Sequence, residues 1–281
     1  MYKKKYLFYL LLTCVSVCFS QSRIYLDHNG KEISQQESEN LKEFRLIYNQ
    51  TYVKGLDTIT KSVLRNQFGE ISNIEYNQIR SLISKRTSTN ILDNDYIIIA
   101  YIDTLHNYES YVKDFIRRHP HNFDLSKDKI MIKSDHRNKL VENSRLYMFE
   151  KKGFKRHQIN NIRKREKCKK KIEKKYNAKV FHIFNINNLD EPLENELKWI
   201  PDNGIIKQKF LKYDIGNRVI IIKSDGSFYM TSYYHKKTEE VLLNNSDWSA
   251  FENQLFEIIK NNSVFKNQGI FYFPKHNSCF R

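Results

Sequence analysis

The residues best suited to chemistry follow an apolar run. Tyr96-Ile97-Ile98-Ile99-Ala100-Tyr101-Ile102 leads into Asp103, Thr104 and His106. A carboxylate, a hydroxyl and an imidazole within four residues can exchange protons or hold a polar ligand. Ligand sites of α/β sheets lie beyond the carboxyl ends of strands. Asp103, Thr104 and His106 are therefore the catalytic candidates. The alternative is a loop whose side chains make local hydrogen bonds.

Sulfur is sparse. The cysteines are Cys14, Cys18, Cys168 and Cys279, and the first two fall in an N-terminal apolar stretch. Cys168 and Cys279 remain, either as a disulfide or as thiols acting singly. There is no Cys-x-x-Cys pair to build a zinc site or a dithiol centre. Histidines are scattered: His106, His119, His121, His136, His157 and His182. Only His119 and His121 are close, with a proline between them, and no His-Glu-x-x-His occurs. No metal or cofactor is expected. No Gly-x-Ser-x-Gly, P-loop or dinucleotide fingerprint is present. An enzyme site would have to be spread along the chain.

The second constellation is electrostatic. Residues 151–175 hold thirteen Lys and Arg against Glu166 and Glu173, most of the chain's net +16. Lys164, Arg165, Lys167, Lys169, Lys170, Lys171, Lys174 and Lys175 are the densest part and form the anion-binding candidate. Ile159, Ile162, Ile172 and Tyr176 give only a sparse apolar stripe, so a helix here would turn most charges to solvent. The charges lie within about a Debye length (about 10 Å) of one another, and a polyanion would relieve their repulsion. A solvated, lysine-rich helix is the alternative. No DNA-reading motif accompanies the run, so sequence-specific nucleic-acid binding is not expected.

Several elements must position these groups. Lys3, Lys4 and Lys5 precede the uncharged, mostly apolar Tyr6–Phe19, 14 residues long. That is the length of a secretion leader and short of the roughly 20 residues of a membrane span. Cleavage after Ser20 is expected, and the ending Phe19-Ser20-Gln21 resembles bacterial leaders. The mature protein is then periplasmic or secreted. Leu11-Leu12-Thr13-Cys14 loosely resembles a lipobox, which gives a lipid anchor at Cys14 as the alternative. Eighteen Tyr, eighteen Phe, eight Gly and four Pro describe an ordered chain with a core, and no later run is apolar enough to span a bilayer.

The pattern predicts strands at 23–26, 46–53 and 56–64, a turn at Asp27–Gly30, and a helix opened by the Ser34/Glu37 capping box. A helix at 73–85 would bury Ile74, Ile79, Leu82 and Ile83. Further strands are expected at 96–102, 129–132, 179–186 and 218–222. An Asp225-Gly226 hairpin returns through 227–234, and 269–273 reads as an edge strand. Helices are expected at 108–118, 135–149 and 154–176, with a loop or short helix at 203–212. A last helix begins after Ser246 or Asp247, with Trp248, Phe251, Leu255, Ile258 and Ile259 inward. The expected organisation is a leader at 1–20, an N-terminal α+β region at 21–86, a main domain at 87–262 with a basic helical insertion at about 120–176, and a tail at 263–281.

The order of elements across 94–262 resembles the thioredoxin fold. The local match is Lys212-Tyr213-Asp214-Ile215-Gly216 running into Val219–Ile222 and the Asp225-Gly226 hairpin. The closing helix with Trp248 and Phe251 is similar too. The resemblance implies an α/β (α+β) domain with a mixed central sheet and flanking helices. It also implies a Cys-x-x-Cys after the first central strand, where a helix N-terminus lowers a thiol pKa. That place reads Asp103-Thr104-Leu105-His106-Asn107-Tyr108. The family's cis-proline position falls at about Arg218. Dithiol exchange needs two neighbouring sulfurs, and they are missing. The expectation is an exported, redox-inactive, non-catalytic protein that resembles exported bacterial proteins and binds an anionic surface, polyanion or acidic protein through its basic segment. The alternatives are an enzyme centred on Asp103–His106 and a single-cysteine thiol protein.

Overall fold

A computed structural model describes residues 23–42, 47–55, 57–118, 151–190, 197–211, 218–232 and 236–260. The expected leader, Cys14, Cys279, His119, His121, His136 and the expected elements at 129–132, 135–149 and 269–273 lie outside these residues. Among the described residues no helix is long and apolar enough to cross a membrane.

The chain divides into two compact units, the first reaching Arg65 and the larger covering Asn66–Leu255. The first holds a four-stranded sheet in the order β2-β1-β4-β3, from β1 (Arg23–Leu26), β2 (Glu32–Ile33), β3 (Ile47–Lys54) and β4 (Asp57–Leu64), with helix α1 (Gln35–Lys42). Asp27 Oδ1 accepts from the Asn29 and Lys31 amides and so closes the turn between β1 and β2. The Ser34/Glu37 capping box is formed in both directions. Asn49 on β3 bonds Ser38 on α1 and Ser62 on β4, which fixes the helix on its sheet.

The larger unit contains β5 (Asn66–Glu70), α2 (Asn73–Thr87), β6 (Tyr96–His106), α3 (Tyr108–Arg118), α4 (Lys151–Lys175), β7 (Ala178–Asn188), β8 (Ile200–Pro201), α5 (Ile205–Phe210), β9 (Arg218–Ile222) and β10 (Ser227–Thr231). α6 (Lys236–Leu243) and α7 (Ser249–Lys260) follow. The strand order is β5-β10-β9-β6-β7-β8. β6 runs parallel to β7 and antiparallel to β9, and β9 runs antiparallel to β10. The protein is thus a mixed α+β fold with two mixed sheets.

Burial explains the sequence pattern. Ile97, Ile98, Ile99, Ile220, Ile221 and Ile222 are all fully buried. Such continuous runs belong to strands covered on both faces. Each buried isoleucine contributes about 1.5–3 kcal/mol relative to exposure. One face packs Ile97, Ile99, Tyr101, Phe181, Ile220 and Ile222 with Ile79 and Ile83 of α2 and Phe210 of α5. Alternation sends Ile98, Ala100, Val180, His182 and Ile221 to the other face.

Some expectations need correction. The buried residues of α2 are Tyr76, Ile79, Ile83 and Thr87, whereas Ile74 is 71% exposed. Residues 76, 79, 83 and 87 follow the helical three-four spacing, and Ile74 falls off that stripe. The residue pattern does not predict β5. It joins the edge of the six-stranded sheet beside β10, and α2 packs on that same sheet. Nor does the pattern predict α6. The hairpin strand ends at Thr231. At its turn, Gly226 takes φ +90°, and a Cβ there would stand 2.2 Å from the Ile71 carbonyl oxygen. Glycine is the residue that fits both constraints.

Candidate functional site

The candidates at the end of the first apolar run are not in a loop. β6 continues through Asp103, Thr104 and His106, paired in parallel with Ile186 and Asn188 of β7 opposite Thr104 and His106. Strand alternation then puts Asp103 on one face and Thr104 and His106 on the other. Asp103 accepts from Thr104 Oγ1 at 3.2 Å, meets Lys207 Nζ at 3.4 Å and lies 3.5 Å from Asn185 Nδ2. Lys207 is positioned by α5, whose first amides are held by the buried Asp202: Ile206 N donates to Oδ1 and Lys207 N to Oδ2. Burial, and then the Asp202 and Asp103 carboxylates, raise the nearby Tyr101 phenol above its ordinary value.

His106 has a different set of partners. Its Nδ1 is 3.2 Å from Ser110 Oγ and its Nε2 is 3.9 Å from Asp114 Oδ2. A serine, a histidine and an aspartate in line invite comparison with a nucleophilic triad. The distances argue otherwise. At 3.9 Å the carboxylate does not hydrogen-bond the ring. Ser110 Oγ also donates to Asn107 O at 3.2 Å, so its proton is directed to the backbone. Asn107 Oδ1 caps the Ser110 amide at 2.9 Å, and Gln158 of α4 donates to His106 O at 2.8 Å. These bonds fasten the end of β6 to the starts of α3 and α4. Asp103 and His106 are not brought into one site.

Arg218, at the position where the resemblance implies a cis-proline, opens β9 opposite Tyr101 and is buried.

The basic segment is one helix of 25 residues, about 37 Å long. Its inward side carries Phe154, Arg165 and Ile172, all buried. Ile162 is half-buried and Ile159 is 40% exposed, so the expected stripe is thinner than its isoleucines suggest. The first turn contains no acid, an unfavourable match to the helix dipole. Lys151 there meets Glu109 of α3 at 3.7 Å.

The structure sorts the eight anion-binding candidates. Arg165 is buried. Lys169 donates to Val180 O at 2.6 Å and pairs with Glu173 at 3.3 Å, so it serves the fold. Lys175 donates to Tyr176 Oη at 2.7 Å and meets Glu240 at 3.5 Å. That phenol, ahead of the carboxylate, raises the Lys175 pKa. Lys164, Lys167, Lys170, Lys171 and Lys174 are exposed. Of the segment's two carboxylates, Glu173 accepts from Val180 N at 2.9 Å, and Glu166 is half-buried with a partner of its own. The outer face is therefore cationic without interruption, from Arg163 to Lys174.

Cys168 is disulfide-bonded, and its partner sulfur lies outside the described residues. His182 is fully buried on β7, and burial first, then the charges of Arg165 and Lys169, hold its pKa well below the ordinary value. Among the described residues no group of three or more His, Cys, Asp or Glu could hold a metal ion. In comparisons with known proteins, no family model, no curated protein and no solved structure matches the chain.

Proposed function

We propose that this is an exported, non-catalytic protein that binds a polyanion through the outer face of α4, on a thioredoxin-like domain that has no dithiol. The observation that carries the binding reading is the inward turn of Glu173 beneath an outward face of Lys164, Lys167, Lys171 and Lys174. Four exposed ammonium groups along about 15 Å of helix form a field that a polyanion neutralises, releasing its own counterions. The fold reading rests on the order β10-β9-β6-β7 with β6 and β7 parallel and β9 reversed, joined to the resemblance in the sequence. The export reading rests on the lysines and the apolar run of residues 3–19. The only cysteine among the described residues is Cys168, already in a disulfide, so single-thiol chemistry has no free group there. With Cys14 and Cys18 in the proposed leader, Cys279 is its proposed partner.

Retention on a heparin matrix, eluted by increasing sodium chloride, tests the binding reading. The wild type should elute late. The quadruple Glu variant of Lys164, Lys167, Lys171 and Lys174 should not be retained at physiological salt. Equal elution of the two proteins refutes it. Vesicles with and without anionic lipid, run with the same pair, separate a membrane surface from a soluble acidic polymer.

A further inference from the structure

From Arg163 to Lys174 every exposed residue of α4 is a cation. They are Arg163, Lys164, Lys167, Lys170, Lys171 and Lys174. At about 3.6 residues per turn, the six fall within an arc of about 120°, on the side away from the buried Arg165 and Ile172. At about 1.5 Å of rise per residue they span about 16 Å, one charge for roughly each 3 Å of axis. Each strand of a nucleic-acid duplex carries one phosphate charge per about 3.4 Å. The two charge densities match.

The other residues of the stretch narrow the partner. Neither Glu166 nor Glu173 is among its exposed residues, and Glu173 is bonded to Val180 N and Lys169. The stretch exposes no apolar or aromatic side chain, and the half-exposed Ile159 lies a full turn before Arg163. Interfacial helices enter a bilayer through residues such as Trp, Phe and Leu. Single-stranded nucleic acid is held by bases stacked on aromatic rings. The cores of protein–protein interfaces are poor in lysine. Lysine binds phosphate as a point charge, without a fixed bidentate geometry. Five lysines and one arginine therefore suit a row of evenly spaced phosphates, and contacts to phosphate carry no sequence information.

Resting on the polyanion reading above, we infer that the 163–174 face of α4 binds the phosphate backbone of a double-stranded nucleic acid, lengthwise and without regard to base sequence.

The probes are two fluorescein-labelled DNA duplexes of unrelated sequence. Their binding to the full chain is followed by anisotropy between about 50 and 200 mM sodium chloride. Both duplexes should bind alike. Six phosphate contacts should make log K fall against log[salt] with a slope of about −5. Lys167→Gln/Lys171→Gln removes two of the contacts at exposed positions, so its slope should be shallower by about 2. A wild-type slope shallower than about −3, an unchanged slope in the double variant, or a preference for one duplex overturns the inference. Heparin retention without duplex binding overturns it too, yet leaves the polyanion reading standing, whereas loss of both removes both. Vesicles of phosphatidylserine and phosphatidylcholine that bind as tightly as the duplexes at equal salt would give the face to a membrane and overturn the nucleic-acid assignment.

Discussion

Lys169 and Glu173 stand one turn apart on α4, 3.3 Å between their charged groups, and together they close both backbone groups of Val180. Among the described residues β8 pairs with β7 at Ile183 and Phe184, and no strand pairs with β7 at Val180 on that side. Unpaired edge groups invite pairing with other chains. Here an ion pair from a neighbouring helix occupies them.

Lys169→Met should therefore destabilise the fold without weakening polyanion binding. Both side chains of the pair remain about a quarter exposed, so the expected loss is about 1 kcal/mol, at the lower end for a charged hydrogen bond. Urea unfolding measures the loss. Unchanged stability combined with reduced heparin retention would place Lys169 on the outer face instead.

Acid should act on the start of α2. The Glu75 carboxylate meets Lys209 Nζ at 2.6 Å and accepts from Ser72 N and Oγ at 2.8 Å each. The Lys209 bond first, then the Ser72 backbone and hydroxyl, lower its pKa from 4.5 to about 2. The folded value lies below the unfolded one, so the contribution is complete above about pH 4.5 and is lost as the pH falls toward 2. Glu75→Gln should flatten the stability profile in that window and leave its slope near neutrality unchanged. Unfolding midpoints at a series of pH values provide the check.

Asn66 joins β5 to β10 from inside. Its buried Oδ1 accepts from Tyr229 Oη at 2.6 Å and from Thr231 Oγ1 at 2.9 Å. Asn66→Ala takes the acceptor from the buried Tyr229 hydroxyl, at a cost of about 1–3 kcal/mol. Adding Tyr229→Phe should recover part of that loss, because the stranded phenol is removed. Chemical denaturation of the two singles and the double gives the coupling, and strict additivity would refute the pairing.

Gly226→Ala should be among the costlier single substitutions. The residue would have to hold φ +90° with its Cβ against the Ile71 carbonyl. Ile71 N donates to Gly226 O at 2.9 Å, so any shift of the turn also strains the join between β5 and α2. The backbone conformation alone costs about 1–3 kcal/mol. A thermal midpoint equal to that of the wild type would contradict this geometry.

Much of the architecture is legible in the order of residues, because local patterns carry it. The isoleucine runs at 97–99 and 220–222 mark buried strands, and the Ser34/Glu37 and Asp225-Gly226 signals mark a helix start and a hairpin. β5 leaves no such mark, because Asn66-Gln67-Phe68-Gly69-Glu70 is polar and carries glycine. Its strand state comes from pairing with β10, a partner more than 150 residues away.

The charges divide the same way. Sequence alone determined that residues 151–175 are strongly basic and that no dithiol follows β6, since both depend only on which residues are present. Tertiary structure decided which cations face outward. Lys169 and Lys171 are indistinguishable as letters, yet one is bonded to Val180 and the other is exposed. Asp103 and His106, three residues apart in the chain, reach different partners. Side-chain direction depends on the strand and helix beneath, and a linear string does not hold that information.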